Sequence, residues 1–185
     1  MKVISGFLKG RKILGYDIDG TRPTMDRVKE SLFASIQFDI ENSVVLDLFA
    51  GSGNLGIEAI SNGSDKVYFN DLSKEAIKVI NKNIAEFDIT DKSIVLNLDY
   101  RKCLEHLFKN GVKFDIVFLD PPYKLKVINE IIEYILENNM LLDSGLIICE
   151  MSDNYLNDYE ELEVRKQKRY GDKEVIILKE KVVNE

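Results

Sequence analysis

The residues best suited to chemistry in this 185-residue chain are a set of aspartates at the ends of short apolar runs, a glycine-rich turn, and the tetrapeptide Asp120-Pro121-Pro122-Tyr123. The tetrapeptide closes the run VKFDIVFL. Two prolines fix the backbone and remove N–H donors, leaving the Asp120 carboxylate and the carbonyls of Asp120 and Pro121 as acceptors. Such a site calls for a donor. The exocyclic amine of a nucleobase is one, and a poor nucleophile, because its lone pair is delocalised into the ring. Accepting hydrogen bonds from both of its N–H groups returns density to nitrogen. Tyr123 can stack on the base, a contact worth ~1–3 kcal/mol that offsets part of the cost of unstacking it. The bland alternative is a proline-rich turn with a packed tyrosine.

The second constellation is VVLDLFAGSGNLGIEAI, in which Gly51, Gly53 and Gly56 match GxGxxG between a strand and a helix. Glycines permit positive φ and close approach of a ligand, and the helix start presents free N–H groups. The spacing alone fits a tight structural turn equally well. Two acids narrow it. Asp71, closing the run VYFND, is placed to take both hydroxyls of a ribose. Asp47, beside the loop, would repel a pyrophosphate but stabilise a cation. The sulfonium and α-ammonium of S-adenosylmethionine fit that position better than a dinucleotide. Asp99 can accept from an adenine amine with Tyr100 beside the ring, and it can also cap a helix.

These groups need a frame. SVVLDLF, DKVYFN, KSIVLNL, FDIVFL and GLIICE are short and apolar on both faces, and helix-length segments separate them. The pattern predicts a mostly parallel sheet covered on both sides, an α/β Rossmann-like fold. KEAIKVINKNIAEF, behind a Ser73 cap, and LKVINEIIEYILENN carry apolar stripes at helical spacing. ELEVRKQKRY and KEVIILKE, joined around Gly171 and Asp172, read as a closing antiparallel hairpin. A parallel fourth strand beside the first would open onto the same crevice as the glycine loop. Residues 1–40 read as a separate N-terminal extension, with turns at Gly6, Gly10 and Gly15 and then a helix bearing Met25, Val28, Leu32 and Ile36 on one face. Residues 41–185 form the main domain.

Composition sets the outer limits. Apolar content of 45% and charged content of 31% describe a soluble globular protein, and no apolar run approaches the ~20 residues that span a bilayer. No signal-peptide core is visible, so a cytoplasmic location is expected. Cys103 and Cys149 lack metal-ligand spacing and read as free thiols. His106, the only histidine, lies on an amphipathic segment and suits neither a triad nor a metal site. Net charge is −7, yet residues 1–30 carry seven basic side chains against four acidic ones, and Arg165 to Lys173 form a second basic cluster. Distribution matters more than the sum for a nucleic-acid partner.

Taken together, LDLFAGSGNLGIEAIS, FLDPPY and GTRPTMDRVKESLF resemble the bacterial RsmD-type 16S rRNA guanine-N2 methyltransferases, class I enzymes that use S-adenosylmethionine, and the resemblance runs from KVISG to RYGDKEV. It implies methyl transfer to guanine 966 of the small-subunit RNA, S-adenosylhomocysteine as product, no metal, and a monomer acting on 16S rRNA within the subunit or an assembly intermediate. Asp47, Gly51 and Gly53 would hold the methionine part of the cofactor with Phe49 lining it, Asp71 the ribose, and Asp99 with Tyr100 the adenine. Asp120, Pro121, Pro122 and Tyr123 would receive the base. Arg22, Pro23 and Thr24 would lie over the entrance with Arg27 nearby, and Lys9, Arg11 and Lys12 would extend the RNA contact. Asp71 stands where the family usually has glutamate, and Tyr100 where a small residue is common.

Rival readings remain. A DNA adenine-N6 methyltransferase would use DPPY as readily but generally adds a recognition domain. A protein glutamine methyltransferase normally begins its clamp with asparagine. An NAD-dependent oxidoreductase would use GxGxxG but needs a proton-transfer group that His106 is badly placed to supply. A binding module would hold cofactor or RNA without turnover.

Overall fold

The computed structural model describes residues 1–15, 26–122, 124–152 and 156–181. Arg22, Pro23, Thr24 and Tyr123 therefore lie outside the described residues. In chain order the elements are α1 (Asp26–Ile36), β1 (Val44–Asp47), α2 (Asn54–Ser61), β2 (Lys66–Asn70), α3 (Lys74–Phe87), a 3₁₀ turn (Thr90–Lys92), β3 (Ser93–Leu96), α4 (Tyr100–Lys109), β4 (Phe114–Leu119), α5 (Ile128–Glu137), β5 (Leu141–Met151), β6 (Leu162–Tyr170) and β7 (Lys173–Glu180).

The strands form one sheet in the order β3-β2-β1-β4-β5-β7-β6. The first five are parallel, whereas β7 pairs antiparallel with both β5 and β6. The hairpin expected near the C-terminus thus closes the sheet, with β6 on the outer edge. Alternation along the strands assigns residues to two cores. Val45, Ile116, Phe118, Ile148 and Val175 face α1, α2 and α3, while Leu46, Val117, Cys149 and Ile176 face α4 and α5. Both faces are apolar because both are covered, as a parallel sheet requires.

Residues 1–15 and α1 share the first of these cores, through Val3, Leu8, Ile13, Leu32 and Ile36. Lys29, on the buried side of α1, accounts for much of this attachment. Its ammonium makes a 2.8 Å ion pair with Glu58 of α2, both side chains being fully buried. It also donates to the Lys2 carbonyl and to Asn54 Oδ1, so all three N–H groups are used. Glu58 in turn accepts from the backbone N–H groups of Ile4 and Ser5. A buried charge survives only when paired and bonded in this way.

Both predicted helix caps form. Ser73 Oγ accepts from Ala76 N at the start of α3, and the Asp99 carboxylate accepts from Arg101 N at the start of α4. β5 begins earlier than the run GLIICE suggests. The stretch from Leu141 pairs with β4 across a register shift, and Asn139 and Ser144 adopt positive φ there, so the irregular pairing leaves no alternation to read.

Candidate functional site

The carboxyl ends of β1 and β4 meet in the middle of the sheet, with Asp47 paired beside Phe118. The glycine loop leaves β1 here. Gly51 and Gly53 take φ of 56° and 81°, a region costly for side-chain-bearing residues. A Cβ on Gly51 would project into open space, room that a ligand lying on the loop can use. Gly56 serves packing instead, since a Cβ there would stand 2.3 Å from the Phe69 ring of β2. Side chains hold the loop from three sides. Gly51 N donates to Asp71 Oδ2 at 2.9 Å, Gly56 N donates to Asp47 Oδ2 at 3.0 Å, and Asn83 of α3 donates to the Ser52 carbonyl at 3.0 Å. The last bond extends outward, because Asn83 also exchanges hydrogen bonds with the backbone of Leu14.

Asp47 is buried, and burial pushes its carboxyl up to about 7, with Asp71 adding repulsion and the Gly56 N–H opposing both. A carboxylate in that state gains most from a cation. Asp71 is half-buried and already accepts from Gly51 and Ser73 N–H groups, which leaves lone pairs on both oxygens for further donors. Asp99 is half-buried at the mouth of α4. Tyr100 turns inward: its ring packs on Phe49 with centroids 5.8 Å apart, its hydroxyl lies 3.3 Å from Glu130, and the Arg101 guanidinium lies over its ring, 4.7 Å from the centroid. Arg101 also holds Glu130 through two bonds of 2.6 and 2.9 Å. Phe49 and Tyr100 thus form one aromatic wall.

Asp120 follows the last residue of β4 and lines a narrow cleft with Val28 and Leu32 of α1, Leu55 of α2, and Ile148, Glu150 and Val175 of the sheet. Pro121 is buried and Pro122 exposed, and the Pro122 carbonyl accepts from Leu125 N, closing the turn. The structure therefore brings Asp47, Gly51, Gly53, Asp71, Asp99 and Asp120 to one edge of the sheet. Arg27 is exposed one residue from Val28 of the cleft. Lys9 and Arg11 are elsewhere: the neighbouring Phe7 and Leu8 bond to Ser61, at the end of α2 remote from the glycine loop. Arg11 is engaged with the Glu86 carbonyl and the Phe87 ring, and Lys12 is exposed beside it.

Sequence reading passed over Lys29, Asn83 and the Glu150–Lys173 pair. Lys29 had a detectable signal, since it falls four residues after Met25 on an otherwise apolar stripe. A charge in that position implies a buried partner. Asn83 interrupts the α3 stripe in the same way.

The chain is similar to known proteins in sequence and in fold. The family described as "Conserved hypothetical protein 95" matches residues 1–179. The "Putative rRNA methyltransferase YlbH" of Bacillus subtilis is 39% identical over 150 residues, covering 81% of this chain and 82% of that protein. "Ribosomal RNA small subunit methyltransferase D" of Haemophilus influenzae is 38% identical over 154 residues, covering 81% and 78%. The solved structure titled "Putative methyltransferase yhhF from Escherichia coli" superposes with a TM-score of 0.85 at 26% identity, covering 97% of each chain.

Proposed function

We propose that this chain, which belongs to the RsmD family described as Conserved hypothetical protein 95, is an S-adenosylmethionine-dependent methyltransferase acting on the exocyclic N2 amine of a guanine in 16S rRNA. The observation that carries the reading is the position of Asp120 and Pro121 at the end of β4, next to the strand that bears the glycine loop and Asp47.

The residues present fit the cofactor. Asp47 is a buried carboxylate with no compensating cation beside it among the described residues, and the loop next to it is open above Gly51. Asp47, Gly51 and Gly53 would hold the methionine portion, Asp71 the ribose hydroxyls, and Asp99 with the Phe49–Tyr100 wall the adenine. When bound, S-adenosylmethionine supplies an electrophilic methyl group on a sulfonium.

The chain's own contribution is orientation. The Asp120 carboxylate and the Pro121 carbonyl accept from the two N–H groups of the target amine, hold its nitrogen toward the cofactor side, and favour a pyramidal nitrogen. Tyr123 would stack on the base. Arg22, Thr24 and Arg27 would meet RNA, Arg27 being one residue from Val28 of the cleft, whereas Lys9, Arg11 and Lys12 lie away from it and would touch only a more distant stretch of RNA. The substrate is rRNA in the small subunit or in an assembly intermediate, and position 966 is the expected nucleotide. Asp120 would accept equally from an adenine amine, so guanine selectivity has to come from other groups in the cleft.

Methyl transfer from labelled S-adenosylmethionine to small subunits lacking the modification, followed by mapping of the labelled nucleotide, tests the reading. A single N2-methylguanine is expected in wild type, and Asp120→Ala should abolish transfer while leaving cofactor affinity within a few-fold. Transfer to DNA adenine, or a fully active Asp120→Ala enzyme, would overturn it.

A further inference from the structure

Strand register places Asp120 beside a second carboxylate. Leu119 of β4 is paired with Cys149 of β5, so the next residues, Asp120 and Glu150, stand side by side on strands about 4.8 Å apart. Side chains alternate, and Phe118 and Ile148 face α1, so Asp120 and Glu150 project to that face as well. The next strand across is β7. Val175 pairs with Glu150 and shares its face, and Lys173, two residues earlier, projects the same way and forms an ion pair with Glu150. Across the top of three adjacent strands the order is acceptor, acceptor, donor: Asp120, Glu150, Lys173.

Glu150 and Lys173 are unusual positions for charge. Each is only 6% exposed, at the sheet's carboxyl edge, where packing with apolar residues of similar volume would often stabilise as well as an ion pair. The pair bridges β5 and β7, which are already joined by a ladder of six register pairs. What distinguishes it is that Glu150 lines the same cleft as Asp120, with Lys173 bonded to it from β7, while the remaining walls, Val28, Leu32, Leu55, Leu119, Ile148 and Val175, are apolar.

The Watson–Crick edge of guanine presents N2–H, N1–H and O6 in sequence: donor, donor, acceptor. Adenine presents no amine at C2, an acceptor at N1 and a donor at C6. The geometry points to Glu150 and Lys173 as the subsite that reads the guanine edge, Glu150 accepting from N1–H and Lys173 donating to O6 while Asp120 takes the N2 amine. This assignment rests on the rRNA-guanine reading above and adds to it the source of its base selectivity. The cleft is narrow and Asp120 is half-buried at its mouth, so the base needs to present only its polar edge inward. A site built to hydrogen-bond a donor rejects an analogue that lacks it far more strongly than an apolar pocket rejects a misfit.

The test keeps the methyl-accepting amine and changes only the neighbouring atoms. The RNA in which the modified guanine has been mapped is remade with 2-aminopurine at that one position, which retains the N2 amine but has an acceptor at N1 and no O6. Wild-type full-length enzyme should lose about 100-fold or more in kcat/KM. Glu150→Gln, whose amide can donate to N1, should lose about 10-fold or more on guanine and much less on 2-aminopurine, shrinking the preference by at least about 10-fold. A merely structural Glu150 would lower both substrates together. Wild type using 2-aminopurine within about threefold of guanine, or a Glu150→Gln preference equal to that of wild type, would overturn the assignment. Should Glu150→Gln fail to fold in thermal unfolding, the wild-type comparison decides alone. Absence of guanine methylation by wild type is a different result, which defeats the functional reading and the assignment with it.

Discussion

Replacing Asp47 with asparagine should stabilise the cofactor-free protein in a pH-dependent way while weakening cofactor binding. Burial raises the Asp47 carboxyl from its ordinary 3.8 to about 7. Between these values the folded protein holds a proton that the unfolded chain does not, so stability falls as pH rises, and the full penalty is present above about pH 7. At about 1.36 kcal/mol per pH unit, the ionised side chain costs about 4 kcal/mol at pH 8 and about 2 kcal/mol at pH 5. Asparagine keeps the acceptor for the Gly56 N–H and removes the titration. Its amide N–H groups need acceptors of their own, which adds an offset independent of pH. The slope is therefore the measurement. Urea unfolding of both proteins without cofactor, from about pH 5 to 8, should show the stability difference moving by about 2–3 kcal/mol in favour of the variant. Saturating cofactor should reverse the ranking at the high end, because a bound cation stabilises the carboxylate. A stability difference that stays flat over this range would refute the view that Asp47 is strained by burial and held for a cation.

Further outcomes follow from the packing. Lys29→Met leaves Glu58 buried without its counter-charge and should cost about 3–5 kcal/mol in urea unfolding. Because Lys29 also holds Asn54 at the start of α2, the same variant should weaken cofactor affinity at temperatures where it remains folded, as read by calorimetry. Gly56→Ala pushes a methyl into the Phe69 ring, and a cost of about 1–3 kcal/mol would lower the Tm by roughly 4–10 °C. Replacing Lys168 and Arg169 with glutamine should reduce RNA affinity and lower the magnitude of its log–log salt slope by about 1.5, at about 0.7–0.9 for each phosphate no longer neutralised. Lys9→Gln with Lys12→Gln, remote from the cleft, should alter the slope less, and the reverse ranking in a filter-binding titration would move the RNA path to the N-terminal unit.

What could be read in advance depended on the range of the interaction. The glycine loop, the Ser73 and Asp99 caps and the terminal hairpin are specified by residues close in sequence, and each forms where its local pattern puts it. The parallel sheet was legible for a related reason, since strands apolar on both faces have few alternatives. Asp47 and Asp71 were recognisable as acids at strand ends, but their grip on Gly56 and Gly51 was not, because it depends on how the loop folds back. Glu150 marks the limit most clearly. Within GLIICE it looks like the polar residue that ends an apolar strand. Its position beside Asp120 follows only from the β4–β5 register, and its pairing with Lys173 only from the insertion of β7 between β5 and β6.

The same topology bears on how a protein with a net charge of −7 can approach RNA. β6 is one edge strand of the sheet, β3 being the other, and Arg165, Lys166, Lys168 and Arg169 lie along β6 against a single acid, Glu163. Charges on an edge strand discourage pairing with another chain, and that alone would justify several of them. These, however, are also fastened to α1 and the turn after it: Arg165 to the Ser35 carbonyl at 3.0 Å and to Asp39 at 2.7 Å, Lys166 to Ser35, and Tyr170 to Ser31 at 2.6 Å under the Lys168 ammonium. The fastening matters because α1 supplies Val28 and Leu32 to the cleft at Asp120. A phosphate backbone drawn to β6 would thus lie alongside the helix that walls the base site, and it would reach that site without crossing the acids of the glycine-loop side. Electrostatic attraction confined to one edge can outweigh an unfavourable total, because in physiological salt charges more than about 8 Å away are largely screened.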